Sequence, residues 1–515
     1  MARQGKLLIE DNRLLGVYQT ALFESDLVRV GAAFVDLVRR RTCPADRFPP
    51  RVVIGFDARP SSWELQNALV RGIASRESNV VHLGLSPSPL VLFSMNQLKM
   101  DGAVIIGGGG RPTEWNGAHF YLEGRALRAD DTRDLLRRAA RVPEAPVLPM
   151  HGRITYLNMI PDYLRRMEKE FGGSMGAGIR VVAAGNHGAA SLIAPHALLR
   201  SGCAVLKLGC VLGVHAEHAR SDPADPSTIR DLGSAVRGFN ADFGVAFDGA
   251  GERIAVVDRA GLPIPGDHLL ALFADDLWGR SPGSPVACDL ANGDLLEECL
   301  DRRAGSIRFV PPGPSSMDKA IRTDGALLAA ESGGRFFFAD RHPGYPDGVY
   351  AALRLVELLA RIRAERGDRV PLGKILPRGE RFLSPEKIVE FSAGRAFLDK
   401  FADRLREREE KGEPILSIRE DHCSAVRVRC PEGWGVLRLR RGERTLGLRY
   451  GGGTDEGFQR AGRLLRGALR DTLEEAGWQR SAGEDARAGD SVETVPAGVG
   501  EENPQENTVT PALDV

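Results

Sequence analysis

The sequence predicts an α/β protein with three similar α/β/α domains, each built on a mixed sheet, followed by a small α+β domain. Three observations lead to this prediction. The 515 residues exceed the length at which one hydrophobic core stops growing, about 250–300 residues. Short β-rich runs alternate with helical stretches through the first two-thirds of the chain. This alternation restarts twice, at intervals of roughly 110–150 residues, which suits one α/β domain each.

The composition is that of an ordinary protein with buried cores. Apolar residues make up 43% and charged residues 27% of the chain, and the formal net charge is zero. No overall charge therefore favours nucleic acid or a membrane surface as a partner. No run approaches the roughly 20 apolar residues of a membrane span, and the first residues lack a signal-peptide pattern. The cysteines are scattered without a CxxC pair, so we expect a cytoplasmic protein without disulfides or a zinc site.

The first domain is predicted over residues 1–150. RVVIGFD (51–57), NVVHLGL (79–85) and GAVIIG (102–107) have the apolar, β-branched character of buried strands. Apolar residues at helical spacing predict a helix over 62–76. Strands that alternate with helices in this way form a sheet covered by helices.

The same rhythm predicts a second domain over residues 151–262 and a third over 263–375. The second has predicted strands at 179–185, 203–209 and 243–251 and helices at 191–201 and 228–239. The third has predicted strands at 286–293, 306–313 and 326–334 and helices at 267–279, 294–304, 315–323 and 347–365.

The pattern changes after about residue 375. The paired runs SAVRVRC and GVLRLRR, with helices near 394–408 and 457–476, predict a fourth, α+β domain over residues 376–478 with antiparallel strands. Residues 479–515 are polar and acidic and contain too few apolar residues to bury a core, so they predict a disordered tail.

The loop after the third strand of the first domain is unusual. The stretch VIIGGGGRPTEWNG (104–117) runs from a buried strand into four glycines and contains no acid or base before Glu114. Consecutive glycine amides could form a cradle for phosphate. The alternative is a relaxed loop that has lost its ligand.

Four stretches, in order and spacing, resemble the signature loops of the α-D-phosphohexomutases, in the phosphomannomutase/phosphoglucomutase branch. GFDARPSS (55–62) resembles the family's GRDxRxSS, and RPTEWNG (111–117) resembles the end of its active loop TASHNPPEYNG. FDGAGER (247–253) resembles its metal loop DGDGDR, and ESGGR (331–335) its sugar loop GExSGH. The resemblance implies four domains around a central cleft. It also implies transfer of a phosphoryl group between two hydroxyls of one sugar through a phosphorylated serine, assisted by Mg²⁺.

The resemblance places the family's nucleophilic serine at Gly109 and its histidine at Gly110, within the degenerate loop 107–117. Glycine has no oxygen to phosphorylate. The family's lysine corresponds to His119, which could still shuttle protons. Thr113 is the nearest hydroxyl.

The three aspartates of the family's metal loop correspond to Asp248, Ala250 and Glu252, within loop 248–253. One ligand is lost and one is a methylene longer, so we expect weak or no Mg²⁺ binding. The alternative role for the two carboxylates is pairing with a neighbour such as Arg253. A separate pair of histidines in HAEH (215–218) has no third ligand nearby, and we interpret it as a solvated turn.

The sugar loop, residues 330–335, keeps Glu331, which the resemblance assigns to two sugar hydroxyls. For the phosphate loop there are two candidates, GWGVLRLRRGER (433–444) and RYGGGTD (449–455), and the sequence does not decide between them. Arg335 and Arg440 could bind phosphate, or could be surface arginines without a specific partner. The full set of substrate-binding residues implied by the resemblance is Glu331, Arg335, Arg253, Lys319, Arg438 and Arg440.

We therefore expect a phosphohexomutase-like protein that has lost phosphoryl transfer and retains at most phosphosugar binding. One alternative is an active phosphotransferase or sugar phosphatase with another nucleophile, in which Glu331, His119 and Asp248 carry the chemistry. Another is an interaction protein that contacts a protein partner through its acidic tail. We expect a monomer or dimer, without nucleic acid or membrane as a partner.

Overall fold

The first sheet brings the glycine loop and the RVVIGFD strand side by side. In this computed structural model, the described residues are 7–41, 49–143, 151–212, 222–292, 295–303, 305–367, 370–375, 382–384, 386–390, 394–421, 424–439 and 445–475. The strands of the first sheet are β1 (Leu8–Glu10), β2 (Arg13–Val17), β3 (Arg51–Phe56), β4 (Asn79–Leu85), β5 (Gly102–Ile106), β6 (Trp115–Leu122), β7 (Arg125–Ala126) and β8 (Ile154–Tyr156). Its helices are α1 (Glu24–Arg41), α2 (Ser62–Ala74), α3 (Ser88–Gln97) and α4 (Ala129–Ala139).

The order in this sheet is β1-β2-β6-β5-β3-β4-β8, with β7 against β6. Strands β3 and β5 are parallel neighbours, so the loops that follow them leave the same edge of the sheet. Strand β6 returns antiparallel between β5 and β2. Strand β8 pairs with β4 although it lies beyond residue 150, where the sequence placed the end of the first domain.

The second domain has a five-stranded sheet in the order β10-β9-β11-β12-β13. Its elements are α5 (Ile160–Phe171), β9 (Arg180–Ala184), a 3₁₀ helix (Ala189–Leu192), α6 (Ala194–Arg200), β10 (Ala204–Leu208), α7 (Pro226–Phe239), β11 (Phe243–Phe247), β12 (Ile254–Asp258) and β13 (Pro263–Ile264). The acidic loop 248–253 connects β11 to its antiparallel neighbour β12. The histidines of HAEH lie outside the described residues.

The third domain has a sheet in the order β15-β14-β16-β17. Its elements are α8 (Gly266–Arg280), β14 (Pro285–Cys288), α9 (Leu295–Arg303), β15 (Ser306–Phe309), α10 (Pro314–Arg322), β16 (Leu328–Glu331), β17 (Arg335–Phe338), α11 (Gly348–Arg366) and α12 (Leu372–Ile375). Glu331 ends β16 and Arg335 begins β17, and the two residues pair across the tight loop between these antiparallel strands.

The fourth domain is an antiparallel sheet packed against two helices. Its elements are β18 (Phe382–Leu383), β19 (Lys387–Glu390), α13 (Arg395–Glu410), β20 (Ser417–Glu420), β21 (Ala425–Cys430), β22 (Gly433–Leu439), β23 (Thr445–Gly452) and α14 (Asp455–Glu475). The predicted paired runs are β21 and β22. The predicted tail, residues 479–515, lies outside the described residues.

One apolar core runs through the first three domains. It includes Leu92 of α3, Phe247 of β11 and Phe336 of β17, all buried. The fourth domain has its own core, around Phe401 and Leu448. The predicted architecture of three α/β/α domains and a small α+β domain is confirmed. No helix within the described ranges is long and apolar enough to cross a membrane.

Candidate functional site

The glycine loop contains a tight turn. The amide of Arg111 donates to the carbonyl of Gly108 at 3.3 Å, which leaves Gly109 and Gly110 as the two central residues. Gly109 has φ +59°, in the left-handed region that glycine adopts without strain. Gly109 is buried, and Gly110 is exposed at the tip of the turn.

Arg59 holds this turn in place. Its guanidinium donates to the carbonyls of Gly109 at 2.9 Å and Arg111 at 2.7 Å with one terminal nitrogen. The other donates to the carbonyls of Pro112 at 2.5 Å and Trp115 at 3.0 Å, and Nε donates to Asp57 at 3.0 Å. Every N–H of the guanidinium is thus used, so the glycine loop is braced despite its composition.

Two arginines face the central glycines of the turn. A Cβ at Gly109 would lie 3.4 Å from Nη1 of Arg13, and a Cβ at Gly110 would lie 3.1 Å from Nη1 of Arg253. The positions that the resemblance assigns to the family's serine and histidine therefore face guanidinium groups. The turn itself offers no hydroxyl, and Thr113 follows it after Pro112.

His119 lies under the turn on β6, directly opposite Arg13 in the register of β2 and β6. Its Nε2 is 3.2 Å from the carbonyl of Gly107, and its Nδ1 is buried without a hydrogen-bond partner. Burial, and then the charge of Arg13, lower the pKa of His119 to about 3. His119 is therefore neutral at neutral pH and poorly matched to the proton shuttle that the sequence allowed.

The acidic loop is folded around Asp248. One carboxylate oxygen of Asp248 accepts the amides of Glu252 at 2.7 Å and Arg253 at 3.1 Å. The carbonyl of Ala250 accepts the amide of Ser88 at 2.8 Å, which ties the loop to the first domain. The side chain of Ala250 is a methyl group, so the loop presents two carboxylates rather than three.

Glu252 is the centre of a buried ion cluster that joins three domains. Its Oε2 lies 3.1 Å from Arg13 of the first domain and 3.0 Å from Arg335 of the third. Arg335 also donates to both oxygens of Glu331, at 3.2 and 3.0 Å. Glu252 is 1% exposed and Arg335 is 2% exposed, so these charges are compensated by one another rather than by water.

Two sequence interpretations are wrong here. Glu252 pairs with Arg13 and Arg335 and not with its neighbour Arg253, although the charge of Arg253 does act on the other acid and lowers the pKa of Asp248. Arg335 is not a surface arginine, because β17 buries it between two carboxylates. The position of Arg13 in the cluster follows from the strand register that sets it beside His119.

The two acids of the loop titrate in opposite directions. Burial, and then the charge of Glu252, raise the pKa of Asp248 to about 6. Burial also acts to raise the pKa of Glu252, but Arg335 and Arg13 outweigh it and lower the pKa to about 2. At neutral pH Glu252 is therefore an anion, and Asp248 takes up a proton easily.

The polar side chains of the sugar loop already form hydrogen bonds with other protein groups. Besides Arg335, Glu331 accepts the amide of Gly313 at 3.1 Å. Ser332 donates to Asp289 at 3.2 Å and accepts from Arg438 of the fourth domain at 3.2 Å. These contacts anchor the loop to its own domain and to the next.

Among the remaining predicted substrate residues, Arg438 reaches the sugar loop through Ser332. Lys319 is exposed on α10, and its ammonium group has no hydrogen bond or ion pair with any described residue. Arg438 forms a two-pronged ion pair with Glu386, at 2.5 and 2.8 Å. Arg440 and the loop 440–444 lie outside the described residues. In the rival loop, Arg449 pairs with Asp267 at 3.3 Å.

The sequence did not predict the cluster of Arg13, Glu252 and Arg335. A signal was present, because the resemblance implies that Ala250 replaces an acid and that Arg335 stands where the family has histidine. This signal could be interpreted only from the structure, because the packing of the domains places Arg335 next to the loop that contains Ala250.

The four-domain fold and the order of these loops define a phosphohexomutase scaffold. Residues 15–145, 159–261 and 265–374 match the family models for phosphoglucomutase/phosphomannomutase, alpha/beta/alpha domains I, II and III. The chain belongs to this phosphoglucomutase/phosphomannomutase family of the α-D-phosphohexomutase superfamily.

Named relatives agree with this assignment. The chain is 29% identical to a phosphomannomutase/phosphoglucomutase of Pseudomonas aeruginosa over 424 residues, 82% of this chain and 88% of the relative. It is 27% identical to a phosphoglucomutase of Neisseria meningitidis over 420 residues, 81% of this chain and 88% of the relative. A crystal structure of a phosphoglucomutase/phosphomannomutase family protein from Burkholderia thailandensis superposes with a TM-score of 0.78 at 25% identity, covering 92% of this chain and 98% of that one.

Proposed function

We propose that this chain is a phosphohexomutase-like pseudoenzyme that binds phosphosugars without transferring their phosphoryl group. The observation that carries the proposal is Gly109 at the nucleophile position, at the centre of a turn without a hydroxyl. Transfer through the protein requires an oxygen that accepts the phosphoryl group and returns it. The turn offers backbone amides and two facing arginines, which bind anions but do not accept a phosphoryl group.

The family works with Mg²⁺, and we propose that this chain binds it weakly or not at all. The described residues contain no cluster of three or more His, Cys, Asp or Glu side chains suited to a metal ion. Ala250 supplies no ligand, and Oε2 of Glu252 is engaged by Arg13 and Arg335. Mg²⁺ demands near-octahedral oxygen ligands, and the guanidinium groups already supply positive charge here.

Phosphorus NMR of the purified protein with glucose 1-phosphate or mannose 1-phosphate tests this proposal. Mg²⁺ and the matching hexose 1,6-bisphosphate are included so that an active mutase would turn over. We expect broadened substrate resonances, because the sugar phosphate binds, and no growth of 6-phosphate resonances. Growth that scales with protein concentration would refute the pseudoenzyme proposal.

The names of the relatives favour a second candidate, an active intramolecular phosphotransferase with another nucleophile. A sugar phosphatase with another nucleophile is the other form of this alternative. In that case His119→Ala and Glu331→Ala variants would lose the turnover seen by NMR. The third alternative, an interaction protein that uses residues 479–515, stays a prediction because those residues lie outside the described part of the chain. A cytoplasmic location, a monomeric or dimeric state and the lack of a nucleic-acid partner likewise stay predictions.

A further inference from the structure

We propose that the guanidinium of Arg335 is the permanent counter-ion of the acidic loop 248–253, and that Arg335, rather than the missing carboxylate at Ala250, keeps divalent cations out of this loop. The inference deepens the proposed function, on which it rests, because it names the residue that takes the place of Mg²⁺. By the resemblance, Arg335 stands where the family has histidine, so this counter-ion is a property of the present chain.

The backbone holds Arg335 beside the acidic loop. A single antiparallel bridge pairs Arg335 with Arg253, the last residue of the loop, and the amide of Ile254 donates to the carbonyl of Gly334 at 3.0 Å. Gly334 has φ +78°, and a Cβ there would lie 2.2 Å from the carbonyl oxygen of Ile254. Only glycine permits this approach, so the start of β17 is fixed against the loop before any side chain is considered.

From this position the side chain of Arg335 bridges two acids that belong to different domains. One terminal nitrogen lies 3.0 Å from Oε2 of Glu252 in the second domain, and the other donates to both oxygens of Glu331 in the third. All three side chains are buried. A planar guanidinium between two buried carboxylates compensates their charges with little help from water, as a bound cation would.

The guanidinium and a divalent cation compete for the same oxygens. Mg²⁺ requires oxygen ligands at about 2.1 Å in a near-octahedral arrangement. Oε2 of Glu252 already lies 3.0 Å from Arg335 and 3.1 Å from Arg13. A cation bound to this oxygen would therefore lie close to two positive charges at a buried site, where such repulsion is strong.

The loss of a carboxylate at Ala250 does not by itself account for the exclusion of cations. Glu331 comes from the sugar loop, and it meets Glu252 of the acidic loop at Arg335. Carboxylate oxygens with water suit Mg²⁺ and Mn²⁺, and two carboxylates are enough to hold such an ion. Removal of Arg335 would leave two acids around the volume that the guanidinium fills, and a divalent cation could then enter.

Mn²⁺ binding to the full chain tests this assignment. Mn²⁺ takes the same oxygen ligands as Mg²⁺, and electron paramagnetic resonance measures its free concentration. We expect Arg335→Ala to bind Mn²⁺ at least about tenfold more tightly than the wild type, because Glu252 and Glu331 lose the cation that they share. The matched control Arg133→Ala removes an exposed arginine that pairs with Asp130, and it should bind Mn²⁺ like the wild type. Equal affinities of the wild type and Arg335→Ala would overturn the proposal.

Ala250→Asp separates the two explanations for the exclusion of cations. This variant supplies the carboxylate that the resemblance expects at position 250 and keeps Arg335 in place. We expect its affinity for Mn²⁺ to stay close to that of the wild type. If Ala250→Asp gains the affinity expected of Arg335→Ala, the missing carboxylate controls cation binding and the assignment of Arg335 is wrong.

Thermal unfolding of the wild type gives a readout that needs no variant. We expect neither Mg²⁺ nor EDTA to change the unfolding midpoint, since a cation that does not bind the native state does not stabilise it. A midpoint that Mg²⁺ raises and EDTA lowers would overturn both this inference and the proposed weakness of Mg²⁺ binding. If the wild type does not respond to Mg²⁺ and Arg335→Ala gains no affinity for Mn²⁺, the inference alone fails and the proposed function stands.

Discussion

Removal of Arg335 is the sharpest test of the ion cluster. Arg335→Met keeps much of the side-chain volume but takes away a partner that Glu331 and Glu252 share. The variant therefore weakens the charge compensation of two buried carboxylates. Breaking a buried pair by removing one partner costs about 3–5 kcal/mol, and we expect a loss of stability in that range.

Guanidinium unfolding followed by circular dichroism measures this loss. With a slope of about 4 kcal/mol per molar, the expected loss shifts the midpoint by about 1 M. Arg133→Met is a matched control, because Arg133 pairs with Asp130 on the exposed face of α4 and such pairs contribute about 0–1 kcal/mol.

A second substitution separates charge from packing. Arg335→Met/Glu331→Gln no longer carries the Glu331 charge that Arg335 compensated, so we expect the double variant to be more stable than Arg335→Met alone. The defect of Arg335→Met should also shrink from pH 8 to pH 5, because the two less compensated carboxylates can then take up protons. A single variant no less stable than Arg133→Met, or a double variant without relief, would refute the account of the cluster.

Three further predictions concern the two loops. Gly109→Ser should gain no mutase activity by phosphorus NMR, because the side chain of Ala250 still supplies no metal ligand. The free energy of unfolding of this variant should fall by about 1 kcal/mol, since φ at this position is +59°. Isomerisation of a hexose phosphate by the variant would contradict the first expectation. Asp248 has a pKa raised from 3.8 to about 6, so its contribution to stability is present below pH 3.8 and lost as pH rises through 6. Asp248→Asn should thus be more stable than the wild type at pH 8, by up to about 3 kcal/mol, and equally stable at pH 3.5. Denaturant unfolding at the two pH values measures the difference. A variant less stable than the wild type at pH 8 would count against the raised pKa of Asp248. Arg59→Lys should speed amide hydrogen exchange in the glycine turn and lower the free energy of unfolding by about 2–4 kcal/mol. The reason is that lysine cannot reach four carbonyls and Asp57 together. Exchange no faster than in the exposed control Arg71→Lys would show that these contacts of Arg59 are dispensable.

Much of the fold follows from local patterns. The predicted helix over 267–279 is α8, Gly266–Arg280, and the predicted helix over 315–323 is α10, Pro314–Arg322. These segments alternate apolar and polar residues at the period of their own element, so the sequence carries the signal within each segment. The strand β8 was assigned to the wrong side of a boundary, because its pairing with β4 joins residues more than 70 positions apart.

By itself, the sequence determined the family, because the order of the motifs is a property of the residues themselves. It also supplies the basis for the proposal that Gly109 stands where the family has its nucleophile. Tertiary structure decided which charges meet. Arg13 and Glu252 are 239 positions apart, and their contact exists only because three sheets pack around one core. The same packing buries Arg335 between Glu252 and Glu331. No local pattern encodes either outcome, since the strength of an ion pair depends on distance and burial that only the assembled domains define.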